Sequence, residues 1–129
     1  MVDVKQLRMA PLCQEFSICK VTDYSQINLE LPFVFTGSTD EEKSLVCPME
    51  HVPQNTVERD DGWKALRING MLDFSLVGIL AWISNILAES SIGIFAVSTF
   101  NTDYIFVKKS NFDKAIKALE DAGLIVGKN

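Results

Sequence analysis

Two short stretches of this chain hold residues whose types and spacing could do recognition chemistry. The first is Asp73-Phe74-Ser75-Leu76-Val77-Gly78, at the junction of a strand-like run and an amphipathic one. The second is Ser98-Thr99-Phe100-Asn101-Thr102-Asp103, the tip of an expected hairpin. An α-amino acid carries a carboxylate and an ammonium a few ångströms apart. The carboxylate needs free backbone N–H groups, which a helix start supplies with a favourable dipole. Residues 75–78 are expected to be that start, and Gly78 permits close approach of a ligand or a neighbouring strand. The ammonium needs a carboxylate or carbonyls, and Asp73 and Asp103 are the candidates. A plainer reading stands beside this one. In it Asp73 is a helix cap, Gly78 a packing glycine and Asp103 a turn residue.

No catalytic constellation competes with these stretches. His51 is the single histidine, lies between Pro48 and Pro53, and has no nucleophile motif near it in sequence. Glu41 and Glu42 are adjacent, so on a strand-like turn they point apart and read as a solvated tip. Lys108 and Lys109 lack the glycine-rich loop of a phosphate cradle. Phe95, Phe100, Tyr104 and Phe106 could suggest base stacking on a sheet, but the glycine-aromatic signature of RNA-binding modules is missing. Cys13, Cys19 and Cys47 form no CxxC pair and have too few histidines nearby for zinc. Reduced thiols are expected, with Cys19 and Cys47 buried in strand-like runs. Neither a metal nor a cofactor is expected, and the chain reads as non-enzymatic.

Charge is uneven along the 129 residues. Residues 1–62 carry eleven acids against five bases, and residues 63–129 carry six against seven. An acidic first half argues against nucleic acid, where phosphate neutralisation supplies most of the affinity. The apolar share of 47% supports a packed core. The start of the sequence has no apolar run of a signal peptide. The longest apolar stretch, 74–88, is interrupted by Ser75, Ser84 and Asn85, and falls short of the ~20 residues a membrane span needs. A cytoplasmic protein without membrane contact is the expectation.

The elements that must position these residues follow in a tight order. Strands are expected at 15–21, 33–36 and 44–47, the last stopped by Pro48. Residues 22–28 are turn-rich and lack a helical stripe. Residues 52–55 and 60–62 bracket a connector, taken as the boundary between units. Beyond it comes a strand with Leu66 and Ile68 on one face. A helix follows with the stripe Leu76, Ile79, Leu80, Ile83, Ile86 and Leu87. A hairpin covers 94–107, and Ser110-Asn111-Phe112-Asp113 resembles a capping box opening a second helix. Gly123 suits its left-handed C-terminal cap, and Leu124-Ile125-Val126 closes the sheet. That order is βαββαβ, the ferredoxin-like α+β arrangement.

The pattern Trp63-Lys64-Ala65-Leu66-Arg67, then residues 72–80, then Ile94-Phe95-Ala96-Val97-Ser98-Thr99 and Thr102-Asp103-Tyr104-Ile105 resembles an ACT domain. The likeness is to the variant of aspartate kinase regulatory regions and of the cytosolic arginine sensor. It implies a complete ACT domain over 63–129 and a shorter, degenerate ACT-like unit over 1–62. Gly78-Ile79-Leu80 matches the family's Gly-x-Leu turn, with Val77 where a proline is common. The family implies amino-acid binding where such a turn faces a neighbouring unit. The ligand-binding residues expected are therefore Asp73, Phe74, Ser75, Leu76, Val77, Gly78, Ser98, Thr99, Thr102 and Asp103. The partners expected are a small amino acid, a second copy in a homodimer, and a regulated protein on another chain. The other reading is an oligomerisation module without a small ligand.

Overall fold

The computed structural model describes residues 7–69 and 78–127. Its strands are β1 (Arg8–Pro11), β2 (Phe16–Val21), β3 (Phe35–Ser38), β4 (Lys43–Pro48), β5 (Thr56–Ile68), β6 (Phe95–Ser98), β7 (Asp103–Lys108) and β8 (Ile125–Val126). Helix α1 (Ile79–Glu89) joins β5 to β6, and α2 (Phe112–Asp121) joins β7 to β8. The chain divides into two units, Gln14–Trp63 and Met1–Cys13 together with Lys64–Asn129. Each is described in turn.

In the Gln14–Trp63 unit the strand order is β3-β4-β2-β5, every pairing antiparallel. Alternation along the end of β2 buries Cys19 and Val21 while Lys20 stays exposed. Cys19 and Val21 join Ile27, Leu45 and Cys47 in a small apolar cluster. Residues 22–34 form turns and no helix. Local side-chain bonds explain why. Asp23 Oδ1 accepts from the Ser25 N–H at 2.9 Å, and Asn28 Oδ1 accepts from the Glu30 N–H at 2.9 Å. These bonds offer the backbone an alternative to helix.

The expected connector at 60–62 is not a loop. It lies inside β5, whose pairing with β2 passes from Ile18↔Asp60 to Phe16↔Trp63, an extra residue on the β5 side. Gly62 sits there at φ +83°, the conformation a β-bulge assigns to glycine. Turn-rich composition at Asp60-Asp61-Gly62 therefore marks an irregular strand, with its side chains outside the apolar cluster.

In the other unit the order is β8-β1-β5-β7-β6. From β5 onward the elements run βαββαβ, the expected ferredoxin-like order. One strand departs from expectation. β8 does not lie beside β5, because β1 stands between them, antiparallel to β5 (Met9↔Ile68) and parallel to β8 (Arg8↔Ile125). Residues 7–13, read from sequence with the first unit, thus supply a strand to this one. The physical reason is apolar: Met9 is fully buried beside Leu66 and Ile68. Ile79, Ile83 and Leu87 of α1 and Ala115 and Leu119 of α2 close over the same core.

Gly123 takes φ +104°, and the Leu124 N–H reaches the Leu119 carbonyl at 3.1 Å, ending α2 as the sequence suggests. Its start differs. A 3₁₀ turn over Lys109–Asn111 precedes the helix, the N-cap is Asn111, and no side chain caps it. Asn111 has φ −102°, ψ 0°, outside the extended conformation a capping side chain needs, so the expected box does not form.

Candidate functional site

Of the ten residues singled out, five are described: Gly78, Ser98, Thr99, Thr102 and Asp103. Asp73, Phe74, Ser75, Leu76 and Val77 lie outside the described residues. The described helix begins at Ile79, not at Ser75, and Gly78 is its N-cap at φ +88°, ψ 0°. The first intrahelical bond runs from the Trp82 N–H to the Gly78 carbonyl at 2.8 Å. Among the described residues no side chain bonds the amides of the first turn, and no acid stands in it. A Cβ added at Gly78 meets no described atom within 4 Å. Glycine therefore suits its backbone angle, and among the described residues no close neighbour demands it. The result is an exposed helix start that presents backbone donors and positive dipole.

The hairpin tip belongs to the same end of the sheet. Ser98 pairs with Asp103 in the β6–β7 ladder, and Phe100 and Asn101 lie between Thr99 and Thr102. The Thr99 N–H donates to the Thr102 carbonyl at 2.8 Å, and the Thr99 hydroxyl donates to it at 3.0 Å. Thr102 is buried, 7% exposed, and its hydroxyl donates to the Ile68 carbonyl at 2.7 Å. That bond pins the tip to the end of β5, the strand after which the chain leads into α1. Ile68 and Ile79 lie in one core cluster. The tip and the helix start are thus held on one scaffold.

The two threonines are already engaged within the fold, a role the sequence reading did not assign them. Asp103 is different. Its side chain is half-buried, and among the described residues no hydrogen bond or ion pair engages the carboxylate. Beside it, the Tyr104 ring has the Arg67 guanidinium 6.0 Å from its centroid. A half-buried acid next to a rigid tip can receive a cationic group without first giving up a partner. Among the described residues no group of three or more His, Cys, Asp or Glu could hold a metal ion. His51, in a 3₁₀ turn at Met49–His51, makes only a 3.8 Å approach to Glu50. Among the described residues no helix is long and apolar enough to cross a membrane.

The described residues build a ferredoxin-like α+β unit with a glycine at the first helix start. The family model for the ACT domain matches residues 58–121. The chain carries an ACT domain over residues 58–121. It is similar to a crystal structure of an Agrobacterium tumefaciens protein at 28% identity and TM-score 0.82, covering 95% of this chain and 94% of that one. A Vibrio cholerae protein of unknown function shares the fold at 21% identity and TM-score 0.73, covering 92% and 91%. The ligand-free regulatory subunit of aspartate kinase from Thermus thermophilus shares it at 8% identity and TM-score 0.62, covering 88% and 95%. That last likeness is to a regulatory subunit and not to a catalytic domain.

Proposed function

We propose that this chain is a non-catalytic, amino-acid-binding regulatory protein that acts in the cytoplasm on another chain. The ACT domain match and the regulatory character of its structural relative support the class. One observation carries the ligand: among the described residues no side chain caps the backbone donors of the helix start at Gly78. In this reading residues 73–78 receive the ligand carboxylate, and Asp103 receives its ammonium or guanidinium. Ser98, Thr99 and Thr102 hold the hairpin at the site. We further propose two ACT-like units in the chain, the first degenerate, and a homodimer that pairs the edge of β6, which among the described residues bonds only β7.

Thermal melting of the full chain with each of the twenty amino acids tests the ligand. Binding to the folded state raises stability by mass action, by about 2.7 kcal/mol at a hundred times Kd. One amino acid, or a small related group, should raise Tm by several degrees. A flat response across all twenty overturns the sensor and leaves an interaction module, which the exposed Phe100 at the hairpin tip, 79% exposed, would suit. Sedimentation of a monomer at micromolar concentration, with and without ligand, removes the dimer.

A further inference from the structure

Two buried thiols in the Gln14–Trp63 unit take no part in the proposed ligand site. β2 and β4 pair with Ser17 opposite Cys47 and Cys19 opposite Leu45. Cys19 and Cys47 therefore sit on one face of adjacent strands, as diagonal neighbours. Both are free thiols in the same apolar cluster, Cys19 at 4% exposure and Cys47 at none. A polar chain leads outward from them. The Cys19 thiol donates to the Ser17 hydroxyl at 3.3 Å, and that hydroxyl donates to Asp61 Oδ1 at 2.7 Å. The Arg59 guanidinium holds the same oxygen at 2.9 Å. Cys19 also lines a surface hollow of about 270 Å³, together with Ile18, Lys20, Ser44, Glu58 and Arg59. Cys19 keeps slight exposure where Cys47 has none, so a small solute meets Cys19 first.

These thiols are not equivalent. The hydrogen bond that Cys47 donates to the Cys19 sulfur pulls the Cys19 thiol down to about 6, and the Arg59 guanidinium acts the same way. Cys47 is pushed up, by that same bond and by burial. One thiol is the better nucleophile and its neighbour keeps its proton, a division of roles suited to peroxide chemistry.

We propose that Cys19 and Cys47 are a dithiol modification site, oxidised by hydrogen peroxide to a disulfide across β2 and β4. The Cys19 sulfur attacks one peroxide oxygen and the O–O bond breaks. The departing oxygen leaves as water with the thiol proton, and Cys19 becomes a sulfenic acid. The Cys47 sulfur then attacks the Cys19 sulfur, the S–O bond breaks, and the oxygen leaves as a second water with the Cys47 proton. Two thiols are oxidised by two electrons, and one peroxide is reduced to two waters. Diagonal strand neighbours stand about 7–8 Å apart at Cα, beyond the range of about 4.4–6.8 Å that an unstrained disulfide spans. Closing the bond draws the two strands together locally and strains it, so this disulfide is readily reduced.

The experiment uses the full chain with Cys13→Ser, which removes the exposed thiol. The folded protein is treated with hydrogen peroxide, and intact mass and disulfide-mapped peptides are read. The expected result is loss of two hydrogens, a Cys19–Cys47 cross-linked peptide, a lower Tm than the reduced form, and full reversal by dithiothreitol. Adding Cys47→Ser keeps a hydroxyl donor beside Cys19 but removes the resolving thiol. That variant should gain one oxygen, trapped by dimedone at Cys19. If it does not fold, differential alkylation of the Cys13→Ser protein after peroxide gives the same assignment. Two unchanged thiols in folded protein, under peroxide that oxidises them in urea, overturn the proposal. Oxidation confined to Cys47, or stopping at a sulfenic acid while Cys47 is present, does so equally.

Discussion

Replacing Gly78 with alanine isolates the backbone demand at the start of α1. The residue is held at φ +88°, and an added Cβ meets no described atom within 4 Å. No steric neighbour contributes to the cost, which is the intrinsic penalty of an L-residue in the left-handed region, about 1–2 kcal/mol. Alanine also narrows the unfolded ensemble, which returns about 0.4–1 kcal/mol at compatible sites but not where φ is positive. The net expectation is destabilisation of about 1–2 kcal/mol, or roughly 3–8 °C in Tm for a chain of this size. Asparagine tolerates the left-handed region better, so Gly78→Asn should lose less than half as much. Urea melts of the three proteins, followed by circular dichroism, read the order Gly78, then Asn, then Ala. Equal losses in Asn and Ala, or none in Ala, would show that the conformation at the helix start is not what glycine serves. Calorimetric titration of the same variants with the amino acid found by melting adds the functional half. A displaced helix start should weaken binding beyond the loss of stability.

Two further substitutions separate scaffold from site. Thr102→Val keeps the shape but strips the hydroxyl from the Ile68 carbonyl, leaving a buried acceptor unmet; the expected cost is about 1–3 kcal/mol in a urea melt, and an unchanged midpoint refutes the lock. Asp103→Asn should leave the melting of the free protein unchanged and weaken the ligand about tenfold or more in calorimetry, since a charged hydrogen bond is worth about 1.5–3 kcal/mol. Equal affinity in mutant and parent would make Asp103 a turn residue only.

The βαββαβ order was legible because its cues are local. Ile79, Ile83 and Leu87 recur at helical spacing, Leu66 and Ile68 at strand spacing, and Gly123 stands where a helix must stop. What stayed hidden depends on pairing between distant segments. Arg8-Met9-Ala10-Pro11 is too short to announce a strand, and nothing in it specifies two partners as far away as Ile68 and Val126. The Asp60-Asp61-Gly62 run carries the composition of a turn, yet one glycine in a bulge lets a strand continue through it. At the candidate site, Gly78 and Asp103 could be chosen from residue type and position. That the Thr102 hydroxyl is already committed to the Ile68 carbonyl could not, since a threonine in a hairpin reads alike whether free or engaged.

The placement of β1 bears on the order in which the chain can assemble as it leaves the ribosome. Residues 14–63 are contiguous, so every strand partner they need has emerged before residue 64 is made. β1 emerges before the other described strands, yet Met9 must wait for Ile68 and then for Val126. The earliest strand of the ACT unit is thus one of the last to gain its full set of partners. Until then its backbone donors and acceptors are exposed on the nascent chain, which makes this segment the one most in need of protection during synthesis.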